Sequence, residues 1–223
     1  MLRKNFLAVM FAGFAVALSG QAATVSGKIS LKAPDGEAIG DASNVVVYLR
    51  GEGVDGKPMT PVTNASIASR GKVFVPEVLA VPMGSTVSFP NDDIILHNVF
   101  SLSTSKVFDL GLYGKSETKA TTFEKAGIVR VFCNIHKKMA AYIAVMENPY
   151  FTLTDSEGKF EIPNVPGGKL TIGVWHRFGG SMEKPLTVAA GNSERTSIEF
   201  SLQEVTRVLS HKTKYGAEYP DKY

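Results

Sequence analysis

The stretch IVRVFCNIHKKMAAYIAVM, residues 128–146, decides the fold. Its first part alternates, and because strand side chains point to opposite faces in turn, Val129, Val131 and Cys133 share one side. Its last part, AAYIAVM, is a short apolar run of the length and β-branched character of a buried strand. The segment CNIHKKM between them sets a cysteine, a histidine and a methionine at a strand end with two residues between each.

The rest of the chain reads in the same way. Residues 24–32 alternate through Val25, Ile29 and Leu31, Asp35-Gly36 supplies a turn, and NVVVYL at 44–49 is β-branched and aromatic. Residues 51–71 read as loop with one short strand, followed by strands over 72–81, 85–89 and 98–102. A second β module begins near Tyr150, with hairpin turns at 155–158 and 166–168, and further strands at 186–188 and 196–202. Almost no window has an apolar period of 3.6, so the expected class is all-β, a sandwich or barrel architecture. Residues 204–223 lack an apolar face and read as a mobile tail.

Composition narrows the function classes. The chain has 223 residues with 24 Lys and Arg against 21 Asp and Glu, a formal charge of +3 that falls far short of a phosphate-binding surface, so no nucleic-acid partner is expected. Arg3 and Lys4 precede an apolar run over 6–18 and then small residues, the layout of a secretory signal peptide over 1–22. The run's 13 residues are too few for a bilayer core, so no membrane span is expected after cleavage, and losing Arg3 and Lys4 leaves a charge of +1. A periplasmic location follows, and in that oxidising compartment the single cysteine, Cys133, has no intramolecular disulfide partner.

His97, in ILHNVF, stands 36 residues before Cys133. With His136 and Met139 it completes one thiolate, two imidazoles and one thioether, the donor set of a trigonal copper site with a weak axial methionine. Soft sulfur favours Cu(I) and imidazole suits Cu(II), so this mixture fits one-electron traffic better than bond-making chemistry. A plainer reading competes: a lone strand cysteine is often a small core residue, Met139 can fill a core, and Lys137 and Lys138 can be a solvated loop. His176, in VWHRFGG, reads as structural, and Asp92 and Asp93 as a polar turn before the ligand strand.

These residues carry a family resemblance. Phe74 and Pro76, the Gly84 turn leading to TVSFPNDD, HNV at 97–99, F-x-x-A-G at 123–127 and C-x-x-H-x-x-M resemble a cupredoxin of the plastocyanin and amicyanin type. The short Cys-to-Met loop is most similar to amicyanin, the methylamine-utilization carrier, although Asn134-Ile135 and Lys137-Lys138 replace its proline-flanked histidine. The resemblance implies a Greek-key sandwich over 68–147 holding one mononuclear type 1 copper. His97, Cys133 and His136 would form its plane, Met139 its axial contact and His136 its electron port, with the Asn98 side chain bracing the ligand segments. It implies a carrier rather than an enzyme, serving periplasmic redox proteins such as a c-type cytochrome or a quinoprotein dehydrogenase, with Lys137 and Lys138 favouring an acidic docking face. Only four histidines exist, too few for an additional type 2 or trinuclear centre.

The T-D-x-x-G-x-F-x-I-x-x-x-P-x-G pattern at 154–168 resembles the carboxypeptidase regulatory-like, or prealbumin-like, β-sandwich, and residues 24–50 resemble its opening half. Two organisations follow. In one, 24–50 and 148–203 form that sandwich with the copper domain inserted; in the other, 23–147 is the cupredoxin and 148–203 follows it. Two other functions share these residues: copper binding and delivery without electron traffic, and a structural β protein without metal.

Overall fold

A computed structural model describes residues 22–203 and 211–219. The expected signal peptide lies outside the described residues, apart from Ala22. The protein is all-β: the described residues form eighteen strands and no α-helix, so none of them forms a helix long and apolar enough to cross a membrane.

One five-stranded sheet runs, in spatial order, Lys106–Tyr113, His97–Ser103, Gly127–Phe132, Ala140–Met146 and Val78–Pro82. A three-stranded sheet of Thr118–Phe123, Ser85–Pro90 and Ala65–Ser66 faces it. The alternation read from 128–133 holds: Val129, Val131 and Cys133 are buried, and they pack with Val87, Phe89, Phe123, Met139 and Ile143 into one apolar cluster between the sheets. Strands Lys106–Tyr113 and Thr118–Phe123 escape the sequence reading. The first exposes Val107 and Leu112, and the second is threonine-rich with partly exposed sides, so neither presents a clean apolar face.

Ala68–Arg70 and Val73–Val75 form a separate two-stranded sheet, and the other strands form a second pair of sheets. Ala23–Lys32 lies between Lys159–Val165, antiparallel, and Glu194–Ser201, parallel. Opposite, Val46–Gly51 lies between Phe151–Leu153 and Gly168–His176, and Gly180–Val188 closes the edge. Val25, Ile29, Leu49, Ile162, Val174 and Ile198 are among the residues that fill the space between them. Val46, Val78, Tyr142, Ala144 and Trp175 join the two pairs of sheets through a smaller apolar cluster.

Candidate metal centre

The site forms where two strands of the five-stranded sheet meet at Phe132 and Phe100. Strand Gly127–Phe132 delivers Cys133 to the core, fully buried, just beyond its last paired residue. The following loop turns back at once: the Met139 amide donates to the His136 carbonyl at 3.0 Å, and the Cys133 amide donates to the Met139 carbonyl at 3.2 Å. Two residues between each donor are what this closure needs. His136 is left half-buried at the turn and Met139 returns, fully buried, to the cluster that holds Cys133.

His97 opens the neighbouring strand and is fully buried. Its Nδ1 lies 3.8 Å from Cys133 Sγ, and His136 Nδ1 lies 3.5 Å from the same sulfur. The three donor atoms fall within 4.8 Å of one another, and the two imidazole centroids are 4.8 Å apart. A nitrogen and a sulfur ligating one first-row ion at about 2.0–2.3 Å stand roughly 3.5–3.8 Å apart for angles between tetrahedral and trigonal. The spacing therefore fits a shared ion, and the donor chemistry fits copper.

The tautomer of His97 is fixed from outside. Asp93 Oδ2 lies 2.9 Å from His97 Nε2, and the same carboxylate accepts from the Gly71 amide at 2.6 Å and the Lys72 amide at 2.9 Å. Burial pushes Asp93 up, but these three hydrogen bonds outweigh it and hold the carboxyl below its usual range. An ionised acceptor requires the proton on Nε2, which turns the Nδ1 lone pair toward the sulfur. Asn91, fully buried, builds the loop that aims Asp93: its Oδ1 accepts from the Asp93 amide, and its Nδ2 donates to the Ile95 and Tyr113 carbonyls.

Burial pushes the Cys133 thiol up, opposed by the backbone amides of Asn98, Ile135 and His136. Burial lowers His136, and the Lys72 charge lowers it further against the Asp93 carboxylate, which raises it. The two shifts favour a neutral Cys133 thiol beside a neutral His136 imidazole.

Asn98 acts by a different route from the expected side-chain brace between ligand segments. Its backbone amide serves the sulfur, while its side-chain Nδ2 donates to Asp109 Oδ1 at 2.6 Å. Lys137 is partly exposed and Lys138 exposed, both on the ligand loop. Ile94, Leu96 and Leu112 are exposed apolar residues around a groove that His136 also lines.

Residues 211–219 depart most from the sequence reading, because they pack against the site instead of forming a mobile tail. Tyr219 is buried and its hydroxyl donates to the Cys133 carbonyl at 2.7 Å. His211 stacks on Phe132 with ring centroids 4.3 Å apart. Asn91, Asp93, Lys214 and Tyr219 carried no periodic signal that would have marked them as neighbours of the site.

No sequence profile of a protein family matches the chain, and no curated protein matches it. Among solved structures it is similar to a purple cupredoxin from Nitrosopumilus maritimus, 24% identical over 37% of this chain and 100% of that one, with a TM-score of 0.35. It is similar to a copper-containing nitrite reductase from Thermus scotoductus SA-01, 27% identical over 44% of this chain and a TM-score of 0.36, spanning 25% of that protein. A reduced amicyanin variant is 22% identical over 37% of this chain and 81% of its own, with a TM-score of 0.35.

Proposed function

We propose that this protein is an exported single-electron carrier whose one mononuclear copper would be held by His97, Cys133 and His136, with Met139 as a further, weak donor. The observation that carries the reading is the convergence of His97 Nδ1 and His136 Nδ1 on Cys133 Sγ, at 3.8 and 3.5 Å. Copper held by such a donor set supplies a one-electron couple.

The protein's own residues do the rest. Asp93 keeps His97 in one tautomer, and the amides of Asn98, Ile135 and His136 hold the sulfur's position. Donors on a closed loop and a paired strand move little, which suits exchange of an electron without rearrangement. His136 is the half-buried donor beside the apolar groove, so a docking partner meets its ring first. Lys137 and Lys138 beside it favour an acidic periplasmic partner such as a c-type cytochrome or a quinoprotein dehydrogenase. The same reading takes 68–147 as a copper domain set into a second sandwich made of 24–50 and 148–203, supported by the pairing of Val46–Gly51 with Phe151–Leu153 and Gly168–His176.

Titration of the mature chain with Cu(II) tests the reading. An intense thiolate-to-copper band in the visible is expected, saturating at one equivalent and absent in Cys133→Ser. No band in the parent protein would sink the copper assignment. A band accompanied by slow self-exchange and rapid handover to a copper acceptor would replace carriage with delivery.

A further inference from the structure

We infer that residues 211–219 form a strap that positions the sulfur side of the site, with Lys214 and Tyr219 as its positioning residues; its spectroscopic consequence rests on the copper reading, its packing does not. The strap is folded on itself: the Thr213 amide donates to the Ala217 carbonyl at 2.9 Å, the Gly216 amide donates to the Thr213 carbonyl at 2.8 Å, and Gly216 takes a φ of 78°. It then grips the two segments that meet at Cys133, the ligand loop and the His97 strand.

The first grip is on the ligand loop. The Lys214 amide donates to Asn134 Oδ1 at 2.8 Å, and the Tyr219 hydroxyl donates to the Cys133 carbonyl at 2.7 Å, bracketing the start of the loop whose Ile135 and His136 amides face the sulfur. The second grip is on the His97 strand. Lys214 Nζ pairs with Asp109, whose other oxygen accepts from Asn98 Nδ2 on the strand that His97 opens. His211 anchors the strap between these grips by stacking on Phe132 and lying 3.2 Å from the Tyr219 hydroxyl. The surroundings of a metal-bound sulfur tune its electron donation, so a segment that holds the Cys133 carbonyl, Asn134 and, through Asp109, Asn98 would tune the spectrum and the potential.

The test uses full-length Lys214→Met, Lys214→Arg and Tyr219→Phe. In the copper-loaded protein, Lys214→Met is expected to shift the thiolate-to-copper band and the reduction potential, and Lys214→Arg to restore both. In the metal-free protein, Tyr219→Phe is expected to speed hydrogen exchange of the Cys133 and Met139 amides about fivefold, the worth of one net hydrogen bond, with the strand over 140–146 unchanged. Parent-like band, potential and exchange in these variants would overturn the strap. If the parent chain shows no copper band, the copper reading fails by itself and exchange in the metal-free variants still decides the strap.

Discussion

Asp93 Oδ2 sits 2.9 Å from His97 Nε2, four residues along the chain, and this contact determines which imidazole nitrogen faces Cys133. The carboxylate is itself held by the Gly71 and Lys72 amides, so the ring is oriented by a group that cannot readily turn away. Orientation thus begins in a loop that contributes no donor to the ion.

Asp93→Asn replaces one acceptor oxygen by a donor, so the amide has to face either the His97 Nε2 proton or one of the two backbone N–H groups. We expect copper affinity to fall by about 10–100-fold, the usual cost of losing a carboxylate behind a ligating histidine. Competition with a chelator of known affinity measures it. Unchanged affinity would show that the sheet alone orients His97.

The grouping of Cys133, His136 and Met139 was legible in the sequence because it is local: period-2 alternation puts Cys133 on the face of Val129 and Val131, and a two-residue gap between each brings His136 and Met139 back to it. His97 entered through the donor chemistry and the family resemblance, since no spacing rule connects residues 36 apart. Asp93 read as a turn residue because an Asx turn and a carboxylate aimed at a histidine look alike in one dimension. Lys214 and Tyr219 were illegible for another reason. Their partners Asp109 and Cys133 lie 105 and 86 residues away, and single polar contacts at such separations leave no period.

His176 gives a pH dependence whose sign is fixed by burial. It is 6% exposed, its Nδ1 accepts from the Phe178 amide, and burial lowers its pKa from 6.5 to about 4. The unfolded chain therefore takes up a proton that the folded one refuses, so this contribution is complete above pH 6.5 and is lost as pH falls toward about 4. The full loss is about 3 kcal/mol at 1.36 kcal/mol per unit. His176→Asn keeps a neutral acceptor, and urea unfolding as a function of pH should show a flatter profile for it across that window. An equally steep profile would place the titration elsewhere.

Gly27 lies within the second pair of sheets, on the strand Ala23–Lys32. It sits between Thr196, in parallel register, and Phe160, in antiparallel register. A Cβ there would lie 1.9 Å from the Thr196 carbonyl oxygen and 2.9 Å from the Phe160 ring. The first obstacle is backbone and cannot rotate aside, so Gly27→Ala forces the strands apart at a cost of about 1–3 kcal/mol. Chemical unfolding should report that loss while the copper band keeps its position and intensity. A shifted band would show that strain at Gly27 reaches the metal centre.

Trp175 and Tyr142 carry the junction between the two pairs of sheets, with ring centroids 5.4 Å apart at 55°. Trp175 is 8% exposed on the strand Gly168–His176, and Tyr142 lies three residues beyond Met139 on Ala140–Met146. Removing the indole leaves Val46, Val78 and Ala144 as the other buried apolar contacts there, and Trp→Ala at a buried site costs about 3–5 kcal/mol. Because each pair of sheets keeps its own core, the loss should fall on their coupling. Urea unfolding followed by far-ultraviolet circular dichroism and by the copper band should give coincident transitions in the parent and separated ones in Trp175→Ala. Coincident transitions in the variant would mean that the cores cooperate through contacts other than this aromatic pair.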